Sequence, residues 1–123
     1  MKVIDRVNIE DFLEYYHNFH DATIESVIYD CSKSSAKVII KTFWVGENEI
    51  HNGKIIPKNK SIKIVFNGIK KINVREILSH DYIMEIYFKY ITLENTEYMC
   101  FADNDTNPKF YCVCESMEYD ELN

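Results

Sequence analysis

Two histidines and an aspartate lie close together near residue 20, in the order His17-x-x-His20-Asp21. Imidazole nitrogens and a carboxylate are zinc ligands, but a zinc site needs three or four such donors with supporting hydrogen bonds. The other histidines, His51 and His80, have no companion at a similar spacing. In the alternative interpretation, His20 and Asp21 bind backbone groups where a helix passes into a strand. We favour this structural role and keep His17, His20 and Asp21 as candidate metal ligands.

Cys112-x-Cys114 places two thiols on one face of a strand, because side chains alternate with a period of two. Two thiolates alone seldom hold zinc, and no second cysteine pair follows at zinc-finger spacing. Cys31 and Cys100 are too distant for a dense disulfide framework. The four cysteines are therefore predicted to be small buried side chains that remain thiols in a reducing compartment.

Asp103-x-Asp105-x-Asn107 copies the first three ligands of a calcium-binding loop. Such a loop needs glycine at its sixth position and glutamate at its twelfth, where this chain has Pro108 and Cys114. The calcium motif is therefore incomplete, and a hairpin turn is the better interpretation.

Sequence signatures of the common enzyme classes are absent. No serine lies in a Gly-x-Ser-x-Gly motif, and three glycines cannot supply a phosphate loop or a dinucleotide fingerprint. We therefore expect no catalytic residue and no cofactor, and a binding protein is favoured over an enzyme.

Acidic side chains outnumber basic ones by 20 to 14, which gives a net charge of -6. This charge would repel a phosphate backbone, so we expect no nucleic-acid partner. It would speed the encounter with a basic protein. The candidate partner-binding residues are the acidic run near the end of the sequence: Glu115, Glu118, Tyr119, Asp120 and Glu121. Such a run is usually a solvated face or a frayed tail of the chain.

The spacing of apolar residues predicts one helix followed by strands. Asn8 can cap a helix over 9–19, whose apolar stripe consists of Ile9, Phe12, Leu13, Tyr16 and Phe19. From Ala22 onward, β-branched and aromatic residues recur with a period near two. This pattern predicts strands over 23–31, 36–45, 61–66, 96–102 and 109–117.

Three segments are less regular. Residues 46–60 contain two glycines, a proline and several charges, and they are predicted to be a loop. Asn67-Gly68 is typical of a two-residue hairpin turn, but the same glycine would suit a bulge within one long strand. Residues 81–92 alternate like a strand and also line one face of a helix, and their aromatic content favours a strand.

These elements predict a single α+β domain over residues 1–123, with the N-terminal helix packed on a curved antiparallel β-sheet of about six strands, sandwich- or barrel-like. A chain of 123 residues suffices for one core. The sequence shows neither a signal peptide nor an apolar run long enough to cross a membrane. We therefore expect a cytoplasmic protein without a membrane partner.

The Phe19-His20-Asp21-Ala22 element, between a short helix and a strand, resembles small β-rich bacterial domains in which such an element opens the strand region. The run from Ile62 to Ile69, which includes Phe66-Asn67-Gly68, is similar to a strand that these domains carry in mid-chain. Most of these domains are uncharacterised, and some resemble immunity proteins of bacterial toxin systems. The resemblance implies no catalytic residue.

Three functions follow from these observations. The first is a non-enzymatic protein-binding domain, most specifically an immunity-type inhibitor that covers a basic toxin domain. The second is a metal-dependent enzyme or small-ligand-binding domain that uses His17, His20 and Asp21. The third is a structural homo-oligomer, in which an open sheet edge pairs with another copy.

Overall fold

The computed structural model describes residues 1–46, 49–56 and 58–122. Along these residues the chain forms one α-helix, two single-turn 3-10 segments (His17–Phe19 and Cys31–Lys33) and eleven strands. The helix is α1 (Ile9–Tyr15). The strands are β1 (Lys2–Ile4), β2 (Thr23–Asp30), β3 (Ser35–Thr42), β4 (Glu49–His51), β5 (Lys54–Ile56), β6 (Lys60–Asn67), β7 (Lys71–Val74), β8 (Tyr87–Leu93), β9 (Thr96–Ala102), β10 (Phe110–Cys114) and β11 (Ser116–Glu121).

The strands form two main antiparallel sheets. The first has the order β1-β11-β6-β3-β2, the second has the order β7-β10-β9-β8, and β4 pairs with β5 in a separate hairpin. The α+β class with antiparallel pairing is confirmed. The prediction of one curved sheet of about six strands is wrong, because the chain leaves the first sheet after β6 and rejoins it at β11.

The two main sheets are joined at Gly68 and Glu115, where the chain passes between them. β6 pairs with β3 and β11, whereas β7 pairs with β10, so Asn67-Gly68 is neither a hairpin turn nor a bulge in one strand. The backbone N–H of Glu115 donates to the carbonyl oxygens of Asn67 at 3.0 Å and Gly68 at 3.1 Å. Gly68 has φ of +64°, and an added Cβ would lie 2.8 Å from the Cβ of Glu115. The two segments that pass between the sheets therefore approach so closely at this point that residue 68 must be glycine.

The helix predicted over 9–19 is wrong in its last third. The α-helix ends at Tyr15, and His17, Asn18 and Phe19 have φ of 52°, 54° and 54°. These values lie in the left-handed region, which an α-helix cannot enter without ending. Helical spacing of apolar residues continues to Phe19 because a tight left-handed turn also brings that ring into the core.

The predicted strands over 61–66 and 96–102 are confirmed as β6 and β9. Those over 23–31 and 36–45 are confirmed as β2 and β3 but extend too far, because β2 ends at Asp30 and β3 ends at Thr42. The single strand predicted over 109–117 is wrong, because this segment is divided between β10 and β11, which belong to different sheets.

The loop predicted over 46–60 contains the β4–β5 hairpin, while positions 47, 48 and 57 lie outside the described residues. Within 81–92, the strand begins at Tyr87, and Tyr82 forms a single bridge with Thr23.

The core lies between the inner faces of the two main sheets and is closed at one side by α1. The Phe66 ring centroid lies 5.2 Å from that of Phe101 and 5.4 Å from that of Phe110. These contacts join the first sheet to the second. Phe12 of α1 packs on Tyr119 of β11 with ring centroids 4.5 Å apart. Among the described residues, no helix is long and apolar enough to span a bilayer.

Candidate functional site

The candidate metal ligands lie at the left-handed turn after α1. The carbonyl oxygen of Gly46 lies 2.7 Å from Nε2 of His17, and Nδ1 of His20 lies 3.1 Å from a carboxylate oxygen of Asp21. The side chains of His20 and Asp21 are exposed and pair with each other. It is the backbone N–H of Asp21, not its carboxylate, that bonds to another backbone segment. The described part of the chain contains no group of three or more His, Cys, Asp or Glu side chains placed to hold a metal ion.

The Phe-His-Asp-Ala element has buried ends and an exposed middle. Phe19 and Ala22 are fully buried, and the backbone N–H of Asp21 donates to the carbonyl of Ile83 at 2.8 Å. Ile83 in turn donates to the carbonyl of Ala22 at 2.7 Å. The left-handed backbone, which costs about 1–2 kcal/mol per residue, is thus held by core packing and by backbone hydrogen bonds.

The cysteines are buried as the sequence predicted, except at position 31. Cys100, Cys112 and Cys114 are buried, whereas Cys31 is exposed. A hydrogen bond with Cys114, together with burial, raises the pKa of the Cys112 thiol. That thiol therefore remains protonated and unreactive at neutral pH.

Asp103 braces the loop between β9 and β10. One of its carboxylate oxygens accepts from the backbone N–H groups of Lys109 at 2.9 Å and Phe110 at 3.2 Å. This is the turn role expected from sequence, with the carboxylate used for internal hydrogen bonds.

The acidic run near the end of the sequence lies on β11, an inner strand between β1 and β6, except for Glu115, which precedes that strand. Register places Tyr119 and Glu121 on the face that meets α1, and Glu118 and Asp120 on the opposite face. The five candidate partner-binding residues therefore form no single patch. Each is engaged within the chain: Glu115 with Lys70 at 3.4 Å, Glu118 with Asn67 at 3.1 Å, Tyr119 with Phe12, Asp120 with the N-terminal amine at 3.5 Å and Glu121 with Tyr16 at 2.6 Å.

A cleft between α1 and β11 brings two of those residues, Tyr119 and Glu121, together with aromatic and acidic side chains of the helix. Its volume is about 310 Å³, near the lower limit of small-ligand sites. It is lined by Lys2, Asn8, Asp11, Phe12, Tyr15, Tyr16, Tyr119 and Glu121. We call it the α1–β11 cleft.

Electrostatic contacts fix the inner wall of the α1–β11 cleft. The Tyr16 hydroxyl donates to Oε1 of Glu121 at 2.6 Å, and Lys60 Nζ lies 3.9 Å from the other carboxylate oxygen. Burial, followed by the hydrogen bond to Glu121, raises the pKa of the Tyr16 phenol. The phenol therefore stays neutral and keeps the carboxylate in place.

The outer wall of the α1–β11 cleft is acidic and aromatic. Tyr15 is 49% exposed and also lines a second, wider cavity of about 610 Å³ with Glu14, His17 and Gly46. Asp11 lines both cavities and is exposed, as is Glu14. Tyr15 was not predicted from the sequence, although it is the aromatic residue of the helix that lies off the apolar stripe.

Comparison with protein-family models, with curated proteins and with solved structures finds no match to this chain. The resemblance to small bacterial domains with a Phe-His-Asp-Ala element therefore stays an expectation from sequence.

Proposed function

We propose that the chain is a non-enzymatic protein-binding domain that takes a basic segment of a partner protein at the α1–β11 cleft. The observation that carries the proposal is Tyr15, a half-exposed ring between two cavities, with Asp11 and Glu14 exposed beside it. A large ring with a polar end is the typical anchor of a protein interface. Neighbouring carboxylates would accept hydrogen bonds from a lysine or arginine of the partner.

The cleft suits one cationic side chain better than a neutral ligand. Aromatic ring faces attract cations. Lys2 Nζ occupies the Tyr119 ring at 5.8 Å from its centroid, whereas no cation of the described residues lies over the Tyr15 ring. Glu121 on the inner wall is held in position by Tyr16 and is shared with Lys60 at 3.9 Å, so among the described residues that line the two cavities the unshared carboxylates for a partner's cation are those of Asp11 and Glu14. A volume of about 310 Å³ has room for one long side chain of a partner.

The most specific form of this proposal is an immunity-type inhibitor that covers a basic toxin domain. The net charge of -6 would speed association with such a domain, and the Phe19-His20-Asp21-Ala22 resemblance points to the same class. In this form the protein acts in the cytoplasm without a cofactor, and its cysteines remain thiols.

Binding at the cleft is tested with a fluorescein-labelled twelve-residue peptide that repeats Lys-Gly-Arg-Ser. We expect saturable binding in fluorescence anisotropy at low salt, weakened at least tenfold, about 1.4 kcal/mol, by Tyr15→Ser or by Asp11→Lys with Glu14→Lys. Tyr29→Ser is the matched control, because Tyr29 is 44% exposed on β2. Equal weakening by Tyr29→Ser, or unchanged binding in the Tyr15 variant, contradicts the proposal.

The immunity role is tested separately by co-expression with a toxin encoded beside this gene. Growth should be rescued by the natural chain and lost with Tyr15→Ser, while circular dichroism shows that the variant is folded. Rescue that survives both cleft variants would place the toxin contact elsewhere.

A structural homo-oligomer is a second candidate, because β2 is an outer strand of the first sheet with two exposed apolar side chains. Ile28 is 62% exposed, and Tyr29 lies next to it. Such an edge can pair with a strand of another copy. Sedimentation equilibrium of the natural chain and of Ile28→Lys decides between a monomer and a strand-paired dimer.

A further inference from the structure

The outer face of the second sheet carries a layer of tyrosines and lysines. In one row across the sheet, Tyr111 and Tyr87 lie on either side of Ala102. In the next row, Lys71 and Lys89 are at the two ends, with Val113 and Cys100 between them. Tyr98 follows in the next row, beside Ile91. We call this surface the tyrosine–lysine face; its large side chains are Lys70, Lys71, Tyr87, Lys89, Tyr98 and Tyr111.

Each tyrosine of the face is paired with one lysine. The distance from ammonium nitrogen to ring centroid is 5.7 Å for Lys71 and Tyr111, 5.4 Å for Lys89 and Tyr87, and 5.7 Å for Lys70 and Tyr98. A hydrogen bond with Tyr87 raises the pKa of Lys89, which therefore keeps its charge. The lysines are exposed, whereas the tyrosines are half-buried.

Beneath this layer lie small side chains that are buried but do not belong to the core between the sheets. Cys100, Ala102 and Val113 are each at most 1% exposed, although they point away from the first sheet. Interaction with the Cys100 thiol, together with burial, raises the pKa of the Tyr111 phenol, which therefore stays neutral above the buried thiol. The half-buried tyrosine rings therefore rest on a packed layer and lose less side-chain entropy than the exposed lysines when a partner binds.

The face is cationic in a chain that is strongly acidic overall. Among the described residues that form it, three lysines accompany one carboxylate, Glu115, which pairs with Lys70 at 3.4 Å. The chain as a whole has a net charge of -6. Because this surface is positive while the molecule as a whole is negative, the surface selects a negatively charged partner through electrostatic complementarity.

We propose that the tyrosine–lysine face is a docking surface for an acidic segment of a partner protein. Tyrosine supplies contact area and a hydroxyl, and the lysines supply ion pairs at the rim. A single-stranded nucleic acid is disfavoured, because each of the three rings already carries a lysine ammonium near its face, where a base would have to stack.

This surface is independent of the α1–β11 cleft, because it selects the opposite charge. The probe is a fluorescein-labelled peptide of eight glutamates followed by Tyr-Leu-Tyr, titrated with the full chain in low salt. We expect saturable binding, weakened at least tenfold by Lys71→Glu with Lys89→Glu and at least fivefold by Tyr111→Ala.

The matched control is Lys37→Glu with Lys63→Glu, which makes the same charge change on the outer face of the first sheet. It should weaken binding less than twofold, and circular dichroism should show that all variants are folded. An equal loss in the control pair, or no change in the Tyr111 variant, overturns the proposal. Tighter binding of a twelve-nucleotide oligo-dT, or a dimer in sedimentation that excludes the peptide, overturns it in favour of nucleic acid or of a second copy.

Discussion

Tyr16 and Tyr15 are adjacent in sequence, but they have opposite roles. Tyr16 is 2% exposed and donates its hydroxyl to Glu121, so it ties α1 to β11. Tyr15 points outward between two cavities. Successive residues of a helix are rotated by about 100°, so Tyr16 faces the core in a structural role while Tyr15 faces outward as a candidate binding residue.

Tyr16→Phe is expected to lower the free energy of unfolding by about 2 kcal/mol at pH 7, because a hydrogen bond to a charged acceptor is lost. The raised pKa of Tyr16 stabilises the fold below pH 10, and this contribution falls as the pH rises above 10, where the unfolded phenol ionises first. The difference between the natural chain and the variant should therefore shrink above pH 10. Urea denaturation at several pH values measures it.

Tyr15→Phe is the control, since the ring is exposed and the change should stay within about 0.5 kcal/mol. A difference that grows with pH in the Tyr16→Phe series would contradict the assigned hydrogen bond.

At the scale of elements, the strands could be predicted because alternation is a local property. Ile62, Ile64 and Phe66 point inward as the sequence indicates, and the same holds for Val38 and Ile40. The division into two sheets could not be predicted in this way. It depends on the contact of Gly68 with Glu115, two residues far apart in sequence whose meeting leaves no periodic signal.

Gly68→Ala tests this crossing point. The change adds a Cβ at left-handed φ and 2.8 Å from the Cβ of Glu115, so we expect a loss of about 3 kcal/mol in the free energy of unfolding. Gly53→Ala is matched in backbone, with φ of +76° and no atom within 4 Å of the added Cβ, and should cost about 1 kcal/mol. If thermal denaturation gives the same loss in the free energy of unfolding for both variants, Gly68 and Glu115 are not in contact.

The candidate site was only partly visible in the sequence. Tyr119 and Glu121 were named because acidic residues cluster near the end of the chain, and both line the α1–β11 cleft. Tyr15 and Asp11 were missed, because their proximity to β11 depends on how the helix packs. The tyrosine–lysine face was missed as well, since its tyrosines come from three separate strands.

At the scale of the whole molecule, Phe66 is the contact that joins the two main sheets. Phe66→Ala is expected to remove about 4 kcal/mol, a large part of the 5–15 kcal/mol typical of a domain. Far-ultraviolet circular dichroism and Trp44 fluorescence should shift together in urea, because residues 1–123 are predicted to unfold as one unit.

Phe66→Leu, which keeps most of the volume, should cost less than about 1.5 kcal/mol and remains measurable if the alanine variant fails to fold. Val3→Ala, at an exposed position of β1, should leave the midpoint unchanged. Two separated transitions would mean that the sheets are independent folding units.

The change of handedness after Tyr16 sets the length of α1 without proline or glycine. The right-handed helix is followed at once by left-handed residues, so an added residue cannot extend the helix without displacing the left-handed turn. The number of residues in this segment is therefore fixed. An insertion or deletion there would change the position of Tyr15 and Asp11 relative to β11 together. The length of this segment is therefore as much a determinant of the acidic surface as the identity of the residues on it.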